Sequence, residues 1–292
     1  MTDILHAKPK TKQKANVHLT VFAVVFMIYS VVLLFPFLWL IFNSVKDKTE
    51  FFLNPLAMPQ HPFVNIKNFA VMVTEFQLGE MFFNTVFLSV LSPLIGLFFT
   101  SCVAYAYAKH RFKLRSALFA VAMLPMVVTI AGTQSATYKL INDIGIFDNL
   151  VGILVLSMGG FGVNFLLLSS VFTNVSDAYR EAAKIDGAGN WRIFLTIYVP
   201  QAGGMLIILY ILSFIGTWND FMTPYLYLPS HPTLATGIQR LSAQISSGNA
   251  QYVNDYPKLF AAMLVTILPV MILFIAFQKR IMRFSLGGGI KG

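Results

Sequence analysis

The sequence predicts an all-α membrane protein with six transmembrane helices, and two observations lead to that prediction. Of the 292 residues, 57% are hydrophobic and only 11% are charged, whereas about a quarter of the residues in a soluble domain carry a charge. The chain also contains six stretches that reach the roughly 20 apolar residues a helical span requires. None of the six contains Asp, Glu, Lys, Arg or His. An even number of spans places both termini on the same side of the membrane.

The six candidate spans cover most of the chain. In order they are Leu19–Phe42, Phe82–Ala108, Ala117–Tyr138, Leu150–Phe172, Val199–Asn219 and Leu259–Gln278. The first is longer than the apolar core of a signal peptide, about 7–15 residues, so we expect it to be retained. The third has a polar second half that begins at Gly132. Four prolines fall inside spans, where each removes a backbone hydrogen bond and favours a bend: Pro36, Pro93, Pro125 and Pro269.

Lysine and arginine residues collect on one side of the predicted membrane. Fifteen of the 21 fall in the two tails or after the second and fourth spans: Lys8, Lys10, Lys12, Lys14, Lys109, Arg111, Lys113, Arg115, Arg180, Lys184, Arg192, Lys279, Arg280, Arg283 and Lys291. Basic residues resist translocation, so this side is predicted to be cytoplasmic. The chain then divides into a cytoplasmic tail over residues 1–18, a membrane domain over 19–278 with a cytoplasmic segment at 176–198, and a cytoplasmic tail over 279–292.

Topology also explains the net charge of +9. The positive charges lie in short segments beside the spans rather than on one soluble face, so we predict a lipid environment and no nucleic-acid partner. The single cysteine, Cys102, lies inside the second span and offers neither a disulfide nor a pair of metal ligands. Two outer loops, Asn43–Met81 and Asp220–Lys258, are long enough to hold structure of their own.

The sequence lacks the motifs of the common catalytic sites. It contains no G-x-x-x-x-G-K-[ST] loop for nucleotide phosphates, no G-x-S-x-G elbow and no H-E-x-x-H helix. We therefore predict no enzymatic activity, no catalytic residue, no metal site and no cofactor in this chain. A carrier driven by an ion gradient usually keeps ionisable groups inside its spans. Because these spans have none, we expect the energy for transport to come from a partner.

The polar groups that occur at membrane depth are mostly neutral. Hydroxyls, amides and aromatic rings suit a neutral polyhydroxyl solute, and four residues are the candidates for a substrate path: Asn84, Asn164, Trp218 and Asn219. The alternative is hydrogen bonding between helices, worth about 0.6–2 kcal/mol in lipid. For Trp218 a place in an interfacial aromatic belt is an equal alternative.

One polar segment stands out between the fourth and fifth spans. Ser176 or Asp177 is a plausible N-cap, and Ala178–Asp186 contains good helix formers with acidic residues early in the helix. Gly187 and Gly189 can provide a left-handed ending. A short helix stopped by glycines between two spans has the form of a docking element for a soluble partner, although it also fits a connector lying on the lipid headgroups.

This segment resembles a known signature. Glu181-Ala182-Ala183-x-x-Asp186-Gly187-Ala188, followed by Phe194, Ile197 and Pro200, is similar to the EAA motif of binding-protein-dependent ABC importer permeases. The motif forms the coupling helix that sits in a cleft of the ATPase subunit. The resemblance extends to Asn84-Thr85, Trp218-Asn219-Asp220-Phe221 and the glycine-rich tail, as in the shorter, six-span permeases of the maltose type. It implies a set of ATPase-coupling residues: Arg180, Glu181, Ala182, Ala183, Asp186, Gly187 and Ala188.

The resemblance implies a type I ABC importer that takes up a sugar or oligosaccharide. Its partners would be a second homologous permease, two ATPase subunits that bind ATP and Mg²⁺, and an extracytoplasmic solute-binding protein, which the loop around Ser242–Tyr252 would reach. Two alternatives stay open: an ABC permease for a solute other than a sugar, and a self-sufficient secondary carrier. The resemblance places the protein in the cell membrane as a multi-pass subunit.

Overall fold

The computed structural model describes residues 17–61, 65–74, 77–128, 130–159, 161–247 and 254–287. This part of the chain is helical, and no strand occurs in it. Its elements are α1 (Val17–Ser44), α2 (Lys48–Leu53), α3 (Lys67–Thr74), α4 (Leu78–Lys109), α5 (Arg115–Val127), α6 (Ile130–Asp143), a 3₁₀ helix (Gly152–Gly159), α7 (Val163–Asn174), α8 (Asp177–Ile185), α9 (Asn190–Ile193), a π-helical turn (Phe194–Tyr198), α10 (Val199–Gln201), α11 (Gly203–Asn219), α12 (Met222–Tyr227), α13 (Leu234–Ser246) and α14 (Tyr256–Gly287). Most of the tail over residues 1–18, the end of the second tail and part of the Ser242–Tyr252 loop lie outside the described residues.

Three of the predicted spans are single helices in the structure. The first, second and sixth predicted spans correspond to helices that are each long and apolar enough to cross a membrane: Thr20–Ser44, Leu78–Lys109 and Tyr256–Ala276. Pro36, Pro93 and Pro269 lie inside these helices without ending them. The prediction of a multi-pass helical protein is therefore confirmed at this level.

The third, fourth and fifth predicted spans are bent pairs of helices rather than single helices. The bends are 115° between Arg115–Val127 and Gly132–Asp143, 57° at Gly162, and 77° between Asn190–Gln201 and Gly203–Asn219. At the first bend Val128 adopts an extended conformation, three residues after Pro125. At the second, Gly162 has φ +61° and ψ −129°, a combination that a residue with a Cβ rarely adopts. If each pair counts as one span, the total is six.

Helix α4 is the central element of the fold. It packs along α7, α11 and the 3₁₀ helix, and it also contacts α3, α5 and α13. A Cβ atom at Gly96 would lie 2.9 Å from the carbonyl oxygen of Ser157, so only glycine permits this close approach to the 3₁₀ helix. Near its C-terminal end α4 supplies Tyr105 to the largest buried cluster, beside Phe165 and Phe172 of α7.

The two outer loops fold into short helices, as their length predicts. Helices α2 and α3 form in the first loop, and α12 and α13 in the second. The buried amide of Asn68 donates to the carbonyl oxygens of Ser44 at 2.9 Å and Lys46 at 3.0 Å. The ammonium of Lys46, a fully buried residue, donates to the Asn54 carbonyl at 3.0 Å. These bonds hold the first loop against the end of α1.

A hydroxyl of α4 joins the second outer loop to the bundle. Thr85 Oγ1 donates to the Met81 carbonyl at 2.7 Å and accepts from the backbone N–H of Leu234, the first residue of α13, at 2.8 Å. Both groups are buried. The backbone N–H of Leu234 would lose its acceptor without this hydroxyl.

We expect Thr85→Val to destabilise the protein. The change keeps the shape of the side chain but leaves the buried Leu234 N–H without its acceptor, which costs about 1–3 kcal/mol. A thermal-unfolding scan in detergent should show a lower midpoint. Thr217→Val is the matched control, because Thr217 donates only within its own helix, to the Ser213 carbonyl at 3.0 Å. Equal midpoints for the two variants would contradict the proposed bond.

Candidate functional site

Helix α8 is the polar helix that the sequence predicts, within one residue at each end. The Ser176 side chain accepts from the Ala178 N–H at 3.3 Å and is the N-cap. Asp177 lies in the first turn and Lys184 in the last, the arrangement that the helix dipole favours. No residue of α8 is buried. A helix of nine residues with no buried side chain needs its termini fixed by such local interactions.

The C-terminal end of α8 is a Schellman motif centred on Gly187. The Ala188 N–H donates to the Ala183 carbonyl at 2.9 Å, and the Gly187 N–H donates to the Lys184 carbonyl at 3.0 Å. Gly187 has φ +79°, the left-handed conformation that this motif requires. Gly189 has φ −71° and is the N-cap of α9. The prediction that it also adopts a left-handed conformation is therefore wrong.

The segment after α8 is anchored in the bundle core. Ile193, Phe194 and Tyr198 are buried in the cluster that also contains Tyr105 and Phe172. Tyr198 lies 4.8 Å from Tyr105 between ring centroids. Phe194, Ile197 and Tyr198 come from the π-helical turn, which the regular apolar spacing of the sequence did not predict. Helix α8 is thus a surface helix, and the residues that follow it pack in the core.

The two sides of α8 differ in what they contact. Ala183 and Ala188 pack against the core cluster, and Arg180 is half-buried. Glu181, Ala182 and Asp186 are exposed. Two large apolar side chains also lie open, Tyr179 at 58% and Ile185 at 87% exposed. The side of α8 that faces away from the bundle thus combines acidic residues with exposed apolar ones.

The C-terminal end of α4 is bonded to both ends of the α7–α8 junction. Lys109 Nζ donates to the Val175 carbonyl at 2.7 Å and contacts Asp177 Oδ1 at 3.0 Å. Arg180 Nη1 donates in the opposite direction, to the Lys109 carbonyl at 2.7 Å. The Lys109 hydrogen bond and charge hold the pKa of the Asp177 carboxyl below its usual value. From the sequence, Lys109 is expected only to contribute to topology, because contacts between residues 66–71 positions apart leave no local pattern.

His110 lies beside this junction. Its ring makes an edge-on contact with Tyr105 at 5.4 Å between centroids. Burial, followed by the charges of Arg180 and Lys184, lowers the pKa of His110 below its usual 6.5. In the folded protein the imidazole is therefore neutral at cytoplasmic pH.

Acid should weaken the fold through His110. The unfolded chain binds a proton near pH 6.5, while the folded chain resists it, so stability is full above that pH and falls as pH drops below it. We expect the unfolding midpoint to fall more between pH 7.5 and 5.5 in the wild type than in His110→Asn. The exposed His61 gives the control, since His61→Asn should keep the wild-type dependence. An unchanged dependence in His110→Asn would contradict this prediction.

The four candidate substrate-path residues are dispersed. Asn84 is buried and donates to the Pro232 carbonyl at 3.0 Å, and Trp218 is buried with its Nε1 3.3 Å from the Thr266 carbonyl. Asn219 is exposed and donates within its own helix, to the Ile215 carbonyl at 2.9 Å. Asn164 is half-buried in α7. The first two bonds match the alternative of bonding between elements, and the substrate path stays a prediction.

An apolar groove of about 1120 Å³ opens between α1, α4, α11 and α14. Its walls include Phe37, Leu94, Phe98, Tyr210 and Phe274. None of the four candidate substrate-path residues lines it. Among the residues that the structure describes, no three His, Cys, Asp or Glu side chains are placed to hold a metal ion.

Comparison with known proteins identifies the family. Residues 10–284 match the family described as binding-protein-dependent transport system inner membrane component. The chain belongs to this family. It is therefore a multi-pass inner-membrane component of a transport system, and the expectation drawn from the Glu181–Ala188 signature is confirmed at the level of the family.

Curated relatives match along most of the chain. The diacetylchitobiose uptake system permease protein NgcG of Streptomyces coelicolor is 29% identical over 257 residues, 87% of this chain and 83% of the relative. The arabinooligosaccharides transport system permease protein AraQ of Halalkalibacterium halodurans is 27% identical over 271 residues, 91% of this chain and 94% of the relative. Both relatives are transport permeases, not enzymes.

A solved structure shares the fold. A chain of a bacterial ABC transporter involved in the import of the acidic polysaccharide alginate superposes with a TM-score of 0.74 at 22% identity, covering 93% of this chain and 99% of that one. A second chain, from an alginate transporter in complex with an alginate pentasaccharide-bound periplasmic protein, gives a TM-score of 0.58 at 16% identity. The all-helical fold is thus that of an ABC importer permease.

Proposed function

We propose that this chain is a transmembrane permease subunit of an ATP-driven ABC importer that brings a sugar or oligosaccharide into the cell. The observation that carries the proposal is α8: a capped surface helix with the EAA signature and an exposed face of Glu181, Asp186 and Ile185, in a chain of the binding-protein-dependent family. The sugar class is supported by the names of the relatives, which are permeases for diacetylchitobiose and arabino-oligosaccharides.

In the proposed topology the three bent pairs supply the third, fourth and fifth spans, with α11 forming the membrane-crossing part of the fifth and residues 176–198 on the cytoplasmic side. The total is six spans with cytoplasmic termini. The combined length and composition of each pair support this count, since neither helix of a pair reaches the roughly 20 residues of a span alone. The basic residues around α8 and the tails support a cytoplasmic location for both. The domain boundaries are then the tails at 1–18 and 279–292 and the membrane domain at 19–278.

The coupling residues are proposed to act in two groups. Glu181, Ala182 and Asp186 are exposed and would contact an ATPase subunit. Arg180, Ala183 and Ala188 face the bundle. The left-handed backbone of Gly187 ends α8 and turns the chain toward Ala188. Closure of the ATPase subunits on ATP would displace α8 as a rigid body and switch the access of the transport pathway. ATP and Mg²⁺ would bind to the ATPase subunits, not to this chain.

A second permease is supported by the surface of α1 and the groove beside it. Within the described residues of α1, side chains such as Phe22, Phe26 and Met27 are at least 62% exposed, so this face is covered by lipid or by a second subunit. A homologous subunit would cover α1 and the apolar groove. A solute-binding protein is a further proposed partner, because the alginate transporter was solved in complex with a periplasmic protein bound to an alginate pentasaccharide.

A secondary carrier is not favoured by any feature of the described spans. Their central segments contain no ionisable residue, whereas coupling to an ion gradient usually uses one. The matched relatives named for their cargo transport sugars. Neutral hydroxyl and amide groups at membrane depth fit such a cargo.

ATP-driven uptake in proteoliposomes tests the proposal. The assembly is purified from its native membrane and reconstituted with its binding protein, and uptake is measured for radiolabelled diacetylchitobiose, arabino-oligosaccharides and alginate oligosaccharides. We expect uptake of at least one sugar with ATP and none with a non-hydrolysable analogue. Uptake that follows a proton or sodium gradient without ATP would overturn the proposal in favour of a secondary carrier.

A further inference from the structure

The junction between α4 and α8 contains a reciprocal pair of bonds that the coupling signature does not include. Lys109 is the last residue of α4, and its side chain is only 4% exposed although it is charged. Its ammonium donates to three groups of the α7–α8 junction: the carbonyls of Thr173 at 3.4 Å and Val175 at 2.7 Å, and Asp177 Oδ1 at 3.0 Å. It also lies 5.5 Å from the centroid of the Tyr198 ring.

A positive charge is favourable beside each of these acceptors. The Thr173 and Val175 carbonyls end α7, where helix carbonyls lack intrahelical partners and the helix dipole is negative. Asp177 is the first residue of α8. One ammonium therefore bonds the end of α7 and the start of α8 to α4.

Arg180 completes the pair from the other side. Its guanidinium turns away from the exposed face of α8 and donates to the Lys109 carbonyl at 2.7 Å, one of the free carbonyls at the end of α4. Its second nitrogen lies 3.8 Å from Asp177 Oδ1. Arg180 thus bonds the end of α4, while Lys109 bonds the end of α7 and the first residue of α8. A shift of α8 along α4 would break these charged bonds.

We infer that Lys109 is a positioning residue that transmits the displacement of α8 to α4. The inference rests on the proposed function, in which an ATPase displaces α8. The described part of α8 has no buried residue, and its direct packing on the core is through the small side chain of Ala183. The Lys109–Arg180 pair is its strongest link to the central helix. Because α4 packs on α7, α11 and the 3₁₀ helix, movement of α4 reaches most of the bundle.

The coupling ratio of the reconstituted assembly tests this role. It is the amount of radiolabelled arabino-oligosaccharide or diacetylchitobiose taken up per ATP hydrolysed. We expect Lys109→Met to lower the ratio about ten-fold while the ATPase subunits stay bound and active. Lys109→Arg, which keeps the charge, should restore most of it. Lys113→Met is the matched control, because Lys113 is exposed in the same loop, and it should behave as wild type.

A second measurement needs no sugar. Cys102, the single cysteine of the chain, lies on α4 about two turns before Lys109 and is half-buried. We expect ATP to change the rate at which N-ethylmaleimide labels Cys102 in the wild-type assembly, and Lys109→Met to abolish that change. Asp177→Asn, at a side chain that is 54% exposed, should reduce it without affecting folding.

The outcomes separate this inference from the proposed function. A wild-type assembly that contains no ATPase would refute the proposed function. If the ATPase is present, a normal coupling ratio and normal ATP-dependent labelling in Lys109→Met would overturn the role of Lys109 alone. An equal loss in Lys113→Met would also overturn it, because the effect would then reflect loop charge rather than the bonded pair.

Discussion

Replacing Ile185 by glutamate is expected to release the ATPase subunits from the assembly. Ile185 is 87% exposed at the end of α8, so the substitution leaves the fold of the isolated chain unchanged. In the assembly the same side chain would be buried against an ATPase subunit, where an unpaired charge costs about 2–4 kcal/mol at a central contact. That is a loss of affinity of roughly 30- to 1,000-fold.

Retention of the ATPase during affinity purification measures the effect. Leu53 provides a matched control, since it is also 87% exposed but lies in α2, on the side predicted to be extracytoplasmic. Leu53→Glu should retain the ATPase fully. Glu181→Lys, which reverses a charge on the same face of α8, should also lose it. Full retention in both α8 variants would show that this face does not dock an ATPase.

The second large effect is expected at Gly187, where proline should abolish coupled transport. Gly187 has φ +79°, whereas proline fixes φ near −65°. Its N–H also donates to the Lys184 carbonyl at 3.0 Å, a bond that proline cannot make. Gly187→Pro should therefore destroy the Schellman ending and misdirect α8, at a cost of about 3 kcal/mol or more, while the spans still insert.

Gly189→Pro is the control for this substitution. Gly189 has φ −71°, which proline adopts without strain, and no atom lies within 4 Å of a Cβ placed there. ATP-driven uptake should be lost in Gly187→Pro and largely kept in Gly189→Pro, with equal amounts of both variants in the membrane fraction. Normal uptake by Gly187→Pro would mean that the α8 ending has no part in coupling.

The sequence predicts the parts of this protein that depend on local patterns. The length of each apolar stretch predicts α1, α4 and α14 as single spans, because the ability of a helix to cross lipid depends on its length and apolar composition. Cap residues and helix propensity predict both ends of α8 to within one residue, with the N-cap at Ser176 and the left-handed ending at Gly187. The EAA signature assigns the family. Each of these features is determined by residues that are near one another in the chain.

The features that the sequence does not predict depend on distant contacts or on backbone angles. The bends of the fourth and fifth spans follow from backbone changes at Gly162 and Ala202 and leave hydropathy almost unchanged, whereas the bend of the third span follows Pro125, where the sequence favours one. The bond between Lys109 and Val175 joins residues 66 positions apart. Asn84 is a substrate-path candidate from the sequence, and in the structure it donates to the Pro232 carbonyl. A buried amide gives the same sequence signal whether it lines a substrate path or bonds another element.

A pull-down of this chain from its native membrane in mild detergent, followed by mass spectrometry of the retained proteins, tests directly whether α8 binds an ATPase. If α8 couples the chain to an ATPase, the wild type should recover an ATPase and a second permease of the same family, and Ile185→Glu should recover the second permease without the ATPase. Recovery of this chain alone, in a preparation that still transports, would contradict the account.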